Sequence, residues 1–190
     1  LTVVPLYLQK ALGLPSAEAG LIVLPGALAM GLLGPVIGRI YDSHGTRVLL
    51  VPGAILAASM LWVFSTVTVN TPIWLIVIAQ TLLSIGLALS FTPLFTAALA
   101  SLTPKFYSYG SAVIGTVQQV AGAAGIAVMM AVFTAIVAAS GGTEVPTAVA
   151  SGSRVAFLIG AVIASITVVS ALFIRKPVDD SAEAPAHAGH

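Results

Sequence analysis

The segment Gly38-Arg39-Ile40-Tyr41-Asp42-Ser43-His44-Gly45-Thr46-Arg47 gathers the charged Arg39, Asp42 and Arg47 and the imidazole of His44 into one short turn, with long uncharged chain on either side. The run before it, Ala19 to Gly38, contains no charge. As a helix rising about 1.5 Å per residue it covers roughly the 30 Å hydrocarbon thickness of a bilayer. The run after it starts at Val48 and meets no ionisable group until Lys105, a length that holds more than one crossing. Over the 190 residues 58% are hydrophobic and 7% charged, with a mean hydropathy of +1.10. An ordinary soluble domain carries about 25% charged residues, so the chain reads as an integral membrane protein whose solvent is lipid.

Composition also removes several function classes. A net charge of +1 from seven scattered Lys and Arg against six Asp and Glu supplies no clustered basic face for phosphate neutralisation, which excludes nucleic acid as a partner. With no cysteine there is no disulfide framework, thiolate metal site or cysteine nucleophile. No Ser/His/Asp, paired-carboxylate or metal-ligand constellation falls inside the apolar runs, so the chain does not read as an enzyme and calls for no cofactor and no metal. His44 reads as a variable loop residue, and His187 and His190 as solvated tail residues.

Working outward from the turn, the apolar segments divide into spans at 17–40, 47–65, 72–98, 108–139 and 154–174, preceded by a partial span at 1–9 that reads as the tail of a truncated first helix. Pro15-Ser16 with Glu18 in the first turn marks the start of the second span, and Pro72 sits where a missing backbone donor is tolerated. The stretch 141–153, rich in Gly, Ser, Thr and Pro, reads as a loop. The acidic, Ala/Pro-rich stretch 177–190 reads as a disordered tail. Alternating crossings put the Asp42 turn, the Lys105 loop and the tail on one side. That side carries Arg39, Arg47, Lys105, Arg175 and Lys176 against Lys10 and Arg154 on the other, so the positive-inside rule makes it cytoplasmic. A multi-pass protein of the plasma (inner) membrane with a cytoplasmic C-terminus follows. Tyr7, Trp62 and Trp74 are expected at the outer interface and Tyr41, Phe106, Tyr107 and Tyr109 at the inner one. Phe91 and Phe95 read first as packing residues.

Helices in lipid gain no hydrophobic energy from touching one another, so close contact depends on small residues and polar links. The second span carries Gly20, Gly26, Gly31, Gly34 and Gly38, and the fifth Gly110, Gly115, Gly122 and Gly125. These two are therefore expected at helix interfaces, with the glycine-poor third and sixth at the lipid-facing periphery. The pattern repeats every three spans, an odd number, which makes two triplets of inverted topology as in many secondary transporters.

In the turn, an acid at Asp42 can accept from exposed N–H groups of the next helix and pair with Arg39 and Arg47, while Gly45 permits the reversal and Gly38 a close helix approach. The pattern Gly-x-x-x-Asp-(Arg/Lys)-x-Gly-x-(Arg/Lys), matched here at Gly38, Asp42, Gly45 and Arg47, resembles the signature loop of the major facilitator superfamily. Ser43 departs from it where a basic residue is usual, as in the degenerate second copy that follows the eighth core span. The stretches Pro5-Leu6-Tyr7-Leu8-Gln9, Gly20 to Pro25 and Gly110 to Gly125 resemble the fourteen-span drug:proton antiporter branch. The resemblance implies an all-α membrane protein, the C-terminal six-helix half of a major facilitator fold with its first helix truncated. It assigns Gly38, Asp42, Gly45 and Arg47 the role of a conformational latch. It further implies export of drugs or toxic metabolites in exchange for protons by alternating access, with the lipid bilayer, a missing N-terminal half, an amphiphilic small molecule and protons as partners.

The spans hold uncharged polarity instead of intramembrane charge, so coupling residues are expected outside this chain. Gln80 and Ser84 are four apart on one face, with Phe91 about two turns further on, and with Gln118 and Gln119 they are the candidates for a substrate cavity that is apolar with a few orienting groups. For Gln118 and Gln119 hydrogen bonding between helices is the competing reading. A twelve-span facilitator for sugars or other metabolites and a non-transporting membrane scaffold are the alternative functions.

Overall fold

The structure, a computed structural model, describes residues 2–143 and 145–173; the segment expected to form the tail lies outside them. The described residues are all-α, with no strand. The chain runs through α1 (Val3–Lys10), α2 (Ser16–His44), α3 (Thr46–Phe64), α4 (Ile73–Ala100), a 3-10 turn (Pro104–Phe106), α5 (Tyr107–Ala139) and α6 (Pro146–Phe173). Helices α2 to α6 are each long and apolar enough to cross a membrane.

Local chemistry accounts for the ends. Pro72 precedes α4 with an extended backbone (ψ 139), and Pro146 opens α6 where no helical donor is required. Gly45 joins α2 to α3 with φ 78, a left-handed conformation that a side chain resists. In place of an end at position 40, α2 continues to His44, which carries Asp42 into its last turn.

The stretch 141–153, expected as a loop, is helical from Pro146, so the sixth span starts eight residues earlier than position 154. Its small residues serve packing. A Cβ on Gly152 would lie 2.7 Å from Val137 Cγ2 and 3.1 Å from the Phe133 carbonyl, so glycine is what lets α6 close on α5. The neighbouring Ser153 is fully buried and returns its hydroxyl to the Val149 carbonyl at 2.9 Å. Composition alone cannot separate a glycine that bends a chain from one that admits a neighbouring helix.

The centre of the bundle also differs from expectation. Helix α3, assigned to the periphery, lies between α4 and α6 and buries Leu49, Leu50, Gly53, Ala54, Ala57, Ala58 and Phe64. Its contact with α4 is set by backbone: a Cβ on Gly86 would meet the Ala57 nitrogen at 2.8 Å and the Gly53 carbonyl at 2.9 Å, and one on Gly53 the Gly86 carbonyl at 2.9 Å. Helix α6 packs on α3 through the Phe64–Phe157 ring pair, 4.9 Å between centroids, and on α5 through Gly152, while Leu158, Val162, Ile166 and Val169 face outward. By contrast α2 buries only Ala19, Gly26 and Ile37, and α5 only Phe133 and Val137. Among the α2 glycines only Gly26 touches another helix, meeting Ser84 and the Gln80 carbonyl of α4; Gly20, Gly31, Gly34, Gly38, Gly115, Gly122 and Gly125 have open space where a Cβ would stand. One glycine aligned with a partner backbone outweighs several that face outward.

Gly86→Leu is expected to destabilise the bundle by about 1–3 kcal/mol, because the added atoms meet backbone that cannot swing aside. Gly34→Ala, with nothing nearby, should leave the melting temperature in detergent unchanged. Equal melting temperatures for the two variants would contradict the α3–α4 contact.

Candidate functional site

The turn and helices α4 and α5 carry the residues singled out from sequence. In the turn Gly45 makes the left-handed reversal, and Gly38 leaves space for an approaching group. Arg39, Asp42 and Arg47 are all exposed, and no ion pair joins the acid to either guanidinium. The cap of α3 is Gly45, with no side-chain bond to the helix start, so Asp42 does not clasp α3 here. It occupies the negative end of the α2 dipole, an unfavourable place for an unpaired carboxylate. The Ser43 hydroxyl stays local, 3.1 Å from the Arg39 and Ile40 carbonyls and 2.6 Å from His44 Nδ1.

The five cavity candidates divide into three places. Gln80 and Ser84 are 1% and 4% exposed and lie in the α2–α4 contact under Gly26, away from any open wall. Gln80 Oε1 has no hydrogen-bond partner, leaving one buried acceptor unsatisfied beside the closest approach of α2. Phe91 and Gln118 come together. They line a groove of about 430 Å³ between α4 and α5, with Leu94, Phe95, Val117 and Ala121 completing its walls. Phe91 and Phe95 are 46% and 38% exposed, so they face this groove instead of filling a core. Gln119, one position on from Gln118, is exposed outside it. Neither glutamine hydrogen-bonds another helix among the described residues.

The groove exists because α4 and α5 scarcely touch: α5 is held to α6, and α4 to α2 and α3. Its chemistry is an aromatic and aliphatic wall with a single primary amide, able to desolvate an apolar body and to donate and accept one pair of hydrogen bonds. No group of three or more His, Asp or Glu that could hold a metal occurs among the described residues.

Sequence reasoning missed the α5 aliphatic wall of the groove and, away from it, the setting of Arg154. Helix α5 supplies Val113, Ile114 and Val117 to the groove, residues indistinguishable in sequence from lipid-facing ones. Arg154, read as the flank of a span, lies two turns inside α6, and its Nε donates to the Ser65 carbonyl at 3.2 Å.

The comparisons with known proteins agree with this architecture. Major Facilitator Superfamily describes the family whose profile matches residues 1–190. The chain is 36% identical over 179 residues to the lincomycin resistance protein LmrB of Listeria monocytogenes, covering 90% of this chain and 38% of that protein. To LmrB of Bacillus subtilis it is 33% identical over 180 residues, with the same coverages of 90% and 38%. To the uncharacterised MFS-type transporter YcnB of Bacillus subtilis it is 32% identical over 185 residues, 97% of this chain and 39% of that one. The chain thus spans less than half the length of the curated relatives it matches. A helical bundle with five apolar spans, a Gly-x-x-x-Asp turn between two of them and a family match along its whole length together make this multi-pass chain a member of the Major Facilitator Superfamily, a family of transporters and not of enzymes.

Proposed function

We propose that this chain is the C-terminal part of a secondary active transporter that exports drugs or other amphiphilic toxic compounds across the plasma (inner) membrane in exchange for protons, by alternating access. The observation that carries the reading is the open groove of about 430 Å³ between α4 and α5, in which Phe91, Phe95 and Gln118 offer an apolar wall with one orienting amide. Bulky amphiphiles suit such a wall better than sugars, whose many hydroxyls need many partners. The relatives named for lincomycin resistance support the same class.

The bundle supplies one wall only, and the open glycine faces of α2 and α5 suit a second bundle approaching from the N-terminal side. Gly38, Asp42, Gly45 and Arg47 act in this reading as a latch toward that second bundle, with Asp42, free in the present state, taking a partner when the halves close. The positive-inside rule places the turn and the C-terminus in the cytoplasm.

Efflux of a fluorescent dye from cells expressing the full-length protein tests the function. Gln118→Ala is expected to raise the KM for transport about 2- to 10-fold, the range for one hydrogen bond of about 0.5–1.5 kcal/mol, and Asp42→Asn to slow turnover with little change in KM. Failure of the full-length protein to move any amphiphilic dye would favour a non-transporting scaffold. The chain has no cysteine of its own, so once any cysteine in the rest of the full-length protein is replaced, single substitutions report access directly. Phe91→Cys and Gln118→Cys should react with a soluble maleimide and be protected by substrate, while Gln80→Cys stays unmodified. Protection without dye transport would separate binding from export.

A further inference from the structure

Arg154 is a charge that neither the turn nor the α4–α5 groove uses. It lies eight residues into α6, about 12 Å along the axis from Pro146, at the end of the bundle opposite the Gly38–Arg47 turn. Helix α6 has 28 residues, about 42 Å, close to the full thickness of a bilayer with its headgroups. The Arg154 backbone therefore sits just inside the hydrocarbon, from where a long side chain reaches back to the phosphate layer. Only Nε is engaged, by the Ser65 carbonyl at the C-terminal end of α3; the two terminal nitrogens remain on an exposed side chain.

Arg154 lines two hollows. One, about 180 Å³, has the hydroxyl residues Thr68, Thr147 and Ser151 in its wall; the other, about 170 Å³, shares Ser151 and Arg154 with it, adds Ser65 and extends along α6 beside Val155 and Leu158. Thr147, Ser151 and Arg154 follow at spacings of four and three and so share one face of α6. Along that face the order is hydroxyls, then a guanidinium fork, then aliphatic side chains deeper in the membrane. That is the order of headgroup, phosphate and acyl chain in a glycerophospholipid. A free anion would gain nothing from the Val155 and Leu158 side chains of the second hollow.

We propose that Arg154 holds the phosphate of a membrane glycerophospholipid, its headgroup against Thr68, Thr147 and Ser151 and the start of an acyl chain against Val155 and Leu158. The fork geometry of the guanidinium suits two phosphate oxygens, and an anionic headgroup strengthens the attraction. Phosphatidylglycerol therefore binds more tightly than phosphatidylcholine.

The test is native mass spectrometry of the full-length protein, delipidated in detergent and titrated with each of the two lipids. Arg154→Gln is expected to weaken phosphatidylglycerol binding about tenfold or more, the effect of losing a charge-assisted pair. Because that change also releases Ser65, a second variant, Thr147→Val with Ser151→Ala, keeps the Arg154–Ser65 bond. It should weaken binding severalfold at an unchanged melting temperature. Lipid binding by Arg154→Gln equal to the unaltered protein would overturn the proposal. So would displacement of bound phosphatidylglycerol by millimolar inorganic phosphate, which would assign the position to a free anion.

Discussion

Two glycines set the geometry of this bundle. Gly53 of α3 and Gly86 of α4 meet so closely that neither admits a Cβ, which brings the backbones of the two helices together across Ala57. Surrounded by lipid, helices gain no hydrophobic energy by association, and dispersion between closely apposed backbones takes over that role. With α3 drawn against α4, its opposite side is free for α6, and α6 in turn admits α5 through Gly152. Helix α2 reaches α4 by the same device at Gly26 and Ser84. The α3–α4, α5–α6 and α2–α4 contacts thus each rest on a glycine aimed at a neighbour, and the α3–α6 contact on the Phe64–Phe157 ring pair.

From that arrangement the open α4–α5 face follows. Since α4 is occupied by α3 and α2, and α5 is tied to α6, the two helices diverge and leave the groove walled by Phe91, Phe95 and Gln118. The aromatic rings there are half exposed while Gln80 and Ser84, on the same helix, are sealed. Helix α4 therefore has one face given to packing and another open to the groove.

Much of this was legible in the sequence. Five apolar runs, the turn at Asp42 and the family resemblance led to the all-α half-bundle, and the left-handed Gly45 was implied by its place between two spans. What could not be read was direction. Gly34 and Gly38 looked like an interface pair by spacing, yet both face open space, whereas the isolated Gly53 and Gly86 make the closest contact. Spacing shows that two residues share a face of a helix; which face meets a neighbour depends on the rotation of the whole helix, set by all its contacts together. The same indeterminacy separated Gln80 from Gln118, one buried against α2 and the other in the groove. The start of α6 was obscured for a related reason, since Gly152 and Ser153 have loop-like composition and packing roles.

Polar contacts divide the bundle into a fixed part and a free part. Tyr7 Oη donates to the Thr68 carbonyl at 2.6 Å, Trp62 Nε1 to Ser165 Oγ at 3.2 Å, and Arg154 Nε to the Ser65 carbonyl at 3.2 Å. All three are anchored on the last turn of α3 or the loop after it, and they tie α1 and α6 to that point. At the Gly38–Arg47 turn, side-chain bonds reach no further than four positions along the chain. A polar link between membrane helices contributes about 0.6 kcal/mol on average, so three of them converging on one point resist separation there by roughly 2 kcal/mol, against none at the turn. At the opposite end of the bundle Asp42, Arg39 and Arg47 stand exposed and unpaired. The carboxylate at position 42 thus stands at the end of the bundle that no interhelical polar bond ties among the described residues.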